Sequence, residues 1–150
     1  MIWKPNVTVA AVVEQNGKYL LIEEEPELGG GVFLNQPAGH LDPGESILQG
    51  VAREALEESA YTFVPEYILG IYQWHSASND TTYLRFAFGG KITNHDPERA
   101  LDTGILRADW FSLDEINKSL LRHRTPLVME CIQDHMAGRH YPLELLTHYN

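Results

Sequence analysis

The sequence predicts a single α/β domain of the α+β type, in which helices cover the faces of a mixed β-sheet. Short apolar runs rich in β-branched and aromatic residues, which are typical of strands, occur in both halves of the chain. A long amphipathic helical pattern over 46–59 lies between them, and further helical patterns follow the last predicted strand. A length of 150 residues suits one domain with a substantial core, so we assign 1–150 to one domain.

Six strands are predicted from these runs and from the turn residues that bound them. Asn16-Gly17 is a hairpin signal between the first two strands, and a loop at 25–31 that ends in three glycines precedes the third. Pro37 ends the third strand, and a polar turn at 76–80 joins the fourth to the fifth. The predicted strands are 7–13, 19–22, 32–35, 66–75, 81–93 and 105–111.

Three helices are predicted from capping residues. Ser46 has the capping-box spacing to Gln49, so the first helix is expected to begin there and to run to about 59. Ser112 begins the second by the same rule, and this helix is expected to run to about 121. The third is expected to begin at Thr125 and to stop at Gly138.

The composition disfavours several classes of partner. A net charge of −10 and a pI near 5.0 disfavour binding to nucleic acid or to an anionic membrane, which requires clustered Lys and Arg. Cys131 is the single cysteine, so no internal disulfide can form and a reducing compartment is expected. The first residues lack the apolar run of a signal peptide, and no long apolar stretch occurs elsewhere. We therefore expect a soluble cytoplasmic protein, either a monomer or a dimer.

The helix at 46–59 carries an acidic cluster. Winding it at 100° per residue places Arg53, Glu54 and Glu57 opposite its apolar half, with Glu58 at the boundary. At i,i+3 and i,i+4 spacing the three carboxylates lie close together and repel one another, so they require cations. Hard oxygen ligands of this kind suit Mg²⁺ or Mn²⁺. A solvated acidic face is the alternative for these residues taken alone.

Taken as a whole, residues 39–61 resemble the signature of the Nudix family, G-x5-E-x7-R-E-U-x-E-E-x-G-U, in which U is a bulky aliphatic residue. The matching positions are Gly39, Glu45, Arg53, Glu54, Glu57 and Glu58. Three positions depart from the signature: Ala55 is smaller than usual, Ala60 replaces a glycine, and Tyr61 replaces an aliphatic residue. Ala60 is the notable departure, because glycine adopts a positive φ more readily than alanine.

The resemblance implies an α/β/α sandwich and a hydrolase that acts on acid anhydrides in phosphorus-containing compounds. It implies that Glu54, Glu57 and Glu58 hold Mg²⁺, or Mn²⁺ as a substitute, with the Gly39 carbonyl as a further ligand. Glu54 is then the first candidate for the general base that activates water.

The resemblance also implies two supporting roles. Glu45 and Arg53 pair to hold the predicted loop at 39–44 against the helix at 46–59. Asp102 lies in the loop where members of the family often place an additional acidic ligand or base; a solvated turn residue is the alternative there.

Further short stretches resemble one bacterial branch of the family along nearly the whole chain. This branch is associated with nucleoside tri- and diphosphates and with hydroxymethylpyrimidine diphosphate, from which inorganic phosphate leaves. The expected partner is therefore a small phosphorylated molecule. The alternatives are a nucleotide sugar, a dinucleotide or an RNA 5′ end as substrate, or a Nudix module that senses a nucleotide without catalysis.

Three residues outside the acidic cluster are candidates for substrate binding. Arg85 on a predicted strand could fork a phosphate group or pair with a carboxylate. Trp74 could stack a base or lie in the core, and His40 could contact phosphate or stay solvated. The roles of Trp3 and of the basic cluster at 122–124 are left open.

Overall fold

The computed structural model describes all 150 residues. It contains eight strands, three α-helices and two short 3-10 helices. None of the helices combines the length and the hydropathy that crossing a lipid bilayer requires. The strands are β1 Asn6–Val12, β2 Glu14–Gln15, β3 Lys18–Glu24, β4 Phe33–Asn35, β5 Ala38–His40, β6 Tyr61–Ser76, β7 Thr81–His95 and β8 Ile105–Ser112. The helices are α1 Ile47–Ser59, α2 Leu113–Asn117 and α3 Leu127–Met136, with 3-10 helices at Leu120–Arg122 and Leu143–Leu145.

The strands form two sheets. The first has the order β5-β1-β7-β6, and β1 pairs antiparallel with β5 but parallel with β7, so the predicted mixed sheet is confirmed. In the second, β3 pairs antiparallel with β2, β4 and β8. The hairpin predicted at Asn16-Gly17 connects β2 to β3. The strands therefore divide between two sheets, whereas the sequence predicts one.

Strand β1 is covered on both faces, as its continuous apolar run requires. Because side chains alternate along a strand, Ala11 belongs to one core cluster together with Val51 of α1. Ala10 and Val12 belong to a second cluster together with Ile132 of α3. Helices α1 and α3 thus pack on opposite faces of the first sheet, which is the α/β/α arrangement expected from the family.

Helix α1 begins and ends where its sequence predicts. Its capping box is formed, since the Gln49 N–H donates to Ser46 Oγ at 3.1 Å and the Ser46 N–H donates to Gln49 Oε1 at 2.9 Å. The helix ends at Ser59, and Ala60 adopts the left-handed conformation with φ 64°. There the Ala60 N–H donates to the Leu56 carbonyl at 2.9 Å. Alanine thus takes the turn that glycine takes in the signature, at a cost of about 1 kcal/mol.

Two boundaries differ from prediction by more than two residues, and two strands, β2 and β5, are additional. Strand β6 begins at Tyr61 rather than at 66, because the ladder to β7 shifts register beside Pro65 and so tolerates a residue without an N–H. Strand β5 lies in a segment predicted as loop, and its pairing to β1 forms it. Helix α2 ends at Asn117 rather than near 121. The Ser119 hydroxyl just beyond donates to the Glu115 and Ile116 carbonyls, competing with the helical ladder.

Gly90 of β7 pairs with Pro65 of β6 in the ladder between these two long strands. A Cβ atom at this position would overlap the backbone carbonyl of Val64, which cannot rotate away as a side chain can. We expect Gly90→Ala to lower the free energy of unfolding by at least about 2 kcal/mol, measured by urea denaturation. Lys91→Ala, at the exposed neighbouring position, is the control and is expected to change it by less than about 0.5 kcal/mol. Equal stability of the two variants would contradict this close approach.

Candidate active site

The loop between β5 and α1 is held against the helix by Arg53. Its Nη2 lies 2.7 Å from Glu45 Oε1 and its Nε donates to Glu45 Oε2 at 3.0 Å, which is a bidentate pair. Asp42 Oδ2 lies 3.3 Å from Nε, and Nη2 also donates to the His40 carbonyl at 3.0 Å. The hydrogen bonds from Arg53 lower the pKa of Glu45. One guanidinium thus ties β5 and the following loop to α1.

The same guanidinium contacts the acidic cluster. Arg53 Nη1 donates to Glu54 Oε1 at 2.8 Å and to Glu57 Oε1 at 3.0 Å. Its positive charge therefore offsets part of the repulsion between these carboxylates. Hydrogen bonds to Glu45, Glu57 and Glu54 raise the pKa of Arg53 further above its usual range. The arginine consequently stays charged at any pH that the folded protein tolerates.

Two of the three clustered carboxylates are buried, which corrects the helical-wheel prediction of an outward-facing Glu54. Only 8% of Glu54 and 7% of Glu58 is exposed, since β5 packs against α1. Glu58 Oε1 accepts a hydrogen bond from the Ala38 N–H at 2.8 Å. The alternative of a solvated acidic face is therefore wrong for Glu54 and Glu58, and only Glu57 lies toward solvent.

Burial leaves this cluster short of positive charge. Desolvation raises the pKa of Glu58 to about 9; Glu54, Glu24 and Asp102 act in the same direction, and the Ala38 N–H opposes them. Desolvation likewise raises the pKa of Glu54, against the effect of Arg53.

Gly39 lies directly against the Glu54 carboxylate. A Cβ atom at position 39 would overlap the carboxyl group of Glu54. The chain therefore has a glycine where its backbone closely approaches a carboxylate of the cluster.

The donor set fits a hard divalent cation. Carboxylates and a backbone carbonyl are the ligands that Mg²⁺ and Mn²⁺ prefer, and Glu54 and Glu58 are crowded with carboxylates at a buried place. As the side chains lie, no three carboxylate or imidazole groups converge on one point. Arg53 draws Glu54 and Glu57 toward itself, so a cation would compete with this arginine for the same oxygens.

These groups open into a cleft of about 460 Å³, a volume suited to a small ligand. Asp102 lines it, and the Asp102 N–H donates to the Glu57 carbonyl at 2.9 Å, which ties this loop to the end of α1. The other sequence-predicted residues in the lining are Gly39, His40, Glu54, Glu58, Trp74 and Arg85. Glu45, Arg53 and Glu57 are not among the lining residues, and Trp3 is an exposed residue near the chain terminus.

Arg85 is buried in the cleft without a carboxylate partner. Only 4% of the residue is exposed. Its Nη1 donates to Gln36 Oε1 at 2.9 Å and its Nη2 donates to Asn35 Oδ1 at 3.1 Å. The structure thus pairs Arg85 with neutral amide oxygens rather than with one of the many carboxylates, contrary to the alternative considered from sequence. Its positive charge stays available to an anion in the cleft.

An aromatic wall forms another part of the cleft. Trp74 and Tyr83 are cross-strand partners, and their rings stack with centroids 5.8 Å apart and planes 18° apart. His40 lies 6.4 Å from the Tyr83 ring and within 3.3 Å of the Asn6 side-chain amide. Trp74 is half-buried and faces the cleft, so it does not belong to the core.

Several lining residues are absent from the sequence prediction. Glu24 ends β3 and is half-buried; desolvation raises its pKa although Arg124 and Arg85 oppose this shift. Asn35 is a buried polar residue in β4, and this polarity within a strand was the available signal. Tyr83 and Thr125 are two further lining residues that were not predicted to belong to the site.

Comparison with known proteins identifies the family. Residues 3–130 match the family model of the NUDIX domain. The chain therefore belongs to the Nudix hydrolase family, and the prediction of a hydrolase that acts on phosphorus-containing anhydrides is confirmed at this level.

Individual relatives agree with this assignment. The phosphatase NudJ of Escherichia coli strain K12 is 37% identical over 149 residues, which are 99% of this chain and 95% of that protein. A NUDIX hydrolase from Nitrosomonas europaea is 61% identical, with a TM-score of 0.95 over 97% of this chain and 98% of that one. A MutT NUDIX hydrolase from Burkholderia pseudomallei shares the fold, with a TM-score of 0.71 at 20% identity over 88% of this chain and 98% of that one.

The contact between Gly39 and Glu54 predicts an energetic coupling. A methyl group at 39 must displace the carboxylate, so we expect Gly39→Ala to lower the free energy of unfolding by about 1–2 kcal/mol. In a Glu54→Ala background the space is free, and the same substitution should cost less than about 0.5 kcal/mol. A double-mutant cycle in urea measures the difference. Equal costs in both backgrounds would contradict the contact.

Proposed function

We propose that the protein is a Mg²⁺-dependent hydrolase of small-molecule di- and triphosphates. Nucleoside tri- and diphosphates and hydroxymethylpyrimidine diphosphate are the proposed substrates, and the cytoplasm is the proposed location. One observation carries this proposal: a single cleft holds the buried carboxylates Glu54 and Glu58 together with the uncompensated guanidinium of Arg85. The two carboxylates suit a divalent cation, and the Arg85 guanidinium suits a phosphate group. Similarity to phosphatase NudJ over 99% of the chain supports the substrate class.

The proposed metal ligands are Glu54, Glu57, Glu58 and the Gly39 carbonyl, with Mn²⁺ as a possible substitute for Mg²⁺. When bound, the metal neutralises phosphate oxygens and lowers the pKa of a coordinated water. Arg53 and Glu45 are proposed to position these ligands, because their bidentate pair fixes the loop that follows Gly39.

The remaining cleft residues are proposed to bind the substrate. Arg85 presents two forked nitrogens that amide oxygens already orient, so little conformational entropy is lost when a phosphate binds. Trp74 offers a ring face for a base or pyrimidine, held in place by stacking on Tyr83. His40 lines the same cleft beside Gly39 and can donate to a phosphate oxygen.

The reaction requires a base near the attacking water. The water oxygen forms a bond to phosphorus, the P–O bond to the bridging oxygen breaks, and its electron pair leaves with the departing phosphate. The water proton passes to a carboxylate. Glu54 is the first candidate, because its carboxylate lies against Gly39 in the cleft. Asp102 is the second, since it lines the same cleft.

Three alternatives follow from the same site. A nucleotide sugar or a dinucleotide could occupy the cleft, because the loops that set specificity lie outside the signature. An RNA 5′ end is disfavoured by the net charge of −10. A sensor without catalysis is disfavoured because Glu54, Glu57 and Glu58 are all present, and their repulsion lowers stability unless a cation binds.

Replacement of Glu57 tests whether its carboxylate is needed for catalysis rather than for the stability of the fold. Glutamine can still accept a hydrogen bond from Arg53 but lacks the charge that a metal requires. We expect Glu57→Gln to lower kcat at least about 100-fold, since metal catalysis supplies several kcal/mol. The free energy of unfolding should change by less than about 1 kcal/mol. Glu66→Gln, an exposed carboxylate on β6, is the control and should leave both unchanged. Wild-type activity in Glu57→Gln would remove the metal assignment.

A substrate panel tests the reaction itself. We expect Mg²⁺-dependent release of inorganic phosphate from nucleoside triphosphates, nucleoside diphosphates and hydroxymethylpyrimidine diphosphate, and no release with a chelator. Turnover of only a nucleotide sugar or a dinucleoside polyphosphate would move the proposal to linked nucleotides. If no compound of the panel is hydrolysed but a nucleotide still raises the Tm, the sensor without catalysis would be favoured.

A further inference from the structure

The basic cluster at 122–124 is divided by the fold. The Arg124 N–H donates to the Leu34 carbonyl at 2.8 Å, and His123 forms a parallel bridge to Leu34, so this segment extends the edge of β4. Arg122 then lies outside the cleft, with Nη2 3.6 Å from Glu23 Oε2. Arg124 lines the cleft itself. The two arginines of this short segment therefore occupy different environments.

The side chain of Arg124 is oriented in advance. Its Nε lies 3.2 Å from Glu24 Oε1, and its guanidinium lies over the Phe33 ring at 5.8 Å from the centroid. Glu24 is the one carboxylate within ion-pair distance, while a guanidinium has five N–H donors. With 46% of its side chain exposed, Arg124 can bind a further anion without losing this support.

Arg124 and Arg85 together give this part of the cleft an excess of positive charge. Asn35 accepts a hydrogen bond from Arg85 and lines the same cleft as Glu24 and Arg124. Glu24 compensates one guanidinium and leaves the other uncompensated. In a chain with a net charge of −10, two arginines that line one cleft and have only Glu24 as an ion-pair partner between them are a specific arrangement.

The cleft is long enough for a second anion. Thr8 of β1 pairs with His40 on one side and with Arg85 on the other. The strands that carry Gly39 and Arg85 are therefore two strand spacings apart, or roughly 10 Å. Because the side chains reach into the cleft from both sides, a phosphate that a cation holds at the carboxylates and a linked phosphate at the arginines can be bound at the same time.

We propose that Arg124 is a specificity-determining residue that, with Arg85, forms a second phosphate subsite selecting compounds with two or more linked phosphates. The identity of the ligand rests on the proposed function. A phosphomonoester fills only one of the two subsites, whereas a di- or triphosphate reaches both.

Calorimetric titration in Mg²⁺ with a non-hydrolysable, methylene-bridged nucleoside diphosphate tests the subsite without catalysis. Arg124→Ala is expected to weaken binding at least about 10-fold, as expected for the loss of a charge-assisted hydrogen bond. Arg124→Lys keeps the charge but loses the forked pair of donors. Its affinity for the analogue is expected to lie between those of the wild type and Arg124→Ala. Arg122→Ala is the matched control and should stay within about 2-fold of the wild type. The nucleoside monophosphate should lose less affinity than the diphosphate analogue in Arg124→Ala.

The outcomes separate this subsite from the proposed reaction. Unchanged binding of the analogue by Arg124→Ala, or no binding by the wild type in Mg²⁺, would overturn the subsite whether or not the protein hydrolyses phosphates. Weakened binding in a protein that hydrolyses nothing would keep the subsite and reject the reaction. In an active enzyme, Arg124→Ala should raise KM for diphosphates at least about 10-fold with a smaller change in kcat. An equal loss of Tm in Arg124→Ala and Arg124→Lys, with equal KM values, would mark a structural role and also overturn the proposal.

Discussion

Charge compensation at Arg53 is the constraint on which the site depends. Four carboxylates lie within ion-pair distance of this one guanidinium, and they come from both the loop and the helix. Without it, the carboxylates of α1 would repel one another and the loop after β5 would lose its anchor on the helix. The same contact explains why the cluster suits a metal: Arg53 reaches Glu54 and Glu57 but has no contact with the buried Glu58. A compensating charge is therefore still needed at that end of the cleft.

The sheet sets the distribution of charge along the cleft. Strand β1 lies between β5, which carries the backbone beside the carboxylates, and β7, which carries Arg85. Because this order separates the two groups by a strand, the carboxylates do not neutralise Arg85, and amide oxygens from β4 and the adjoining Gln36 hold its guanidinium instead. Strand order therefore gives the cleft an acidic region and a basic region, which we propose for a cation and for a phosphate respectively. The stacked pair of Trp74 and Tyr83 adds a flat apolar surface to the same cleft.

Local patterns predict much of this molecule, and long-range pairing decides the rest. The capping box fixes the start of α1, and the spacing of its glutamates and arginine identifies the acidic cluster from sequence alone. The burial of Glu54 was not predictable, because β5 covers it and β5 exists only through pairing with β1. The partners of Arg85 are also distant in sequence, so the choice between a carboxylate and a phosphate could not be made from its own strand. The separation of Arg122 from Arg124 likewise depends on a single bridge to β4.

The binding of a divalent cation by the carboxylates of α1 is the central claim, and Mn²⁺ titration followed by electron paramagnetic resonance tests it most directly. The comparison is between the wild type and a variant with Glu54→Gln, Glu57→Gln and Glu58→Gln together. We expect the wild type to remove Mn²⁺ from solution, excess Mg²⁺ to release it, and the variant to leave it free while keeping the same circular dichroism spectrum. Equal Mn²⁺ binding by the folded variant and the wild type would contradict the claim.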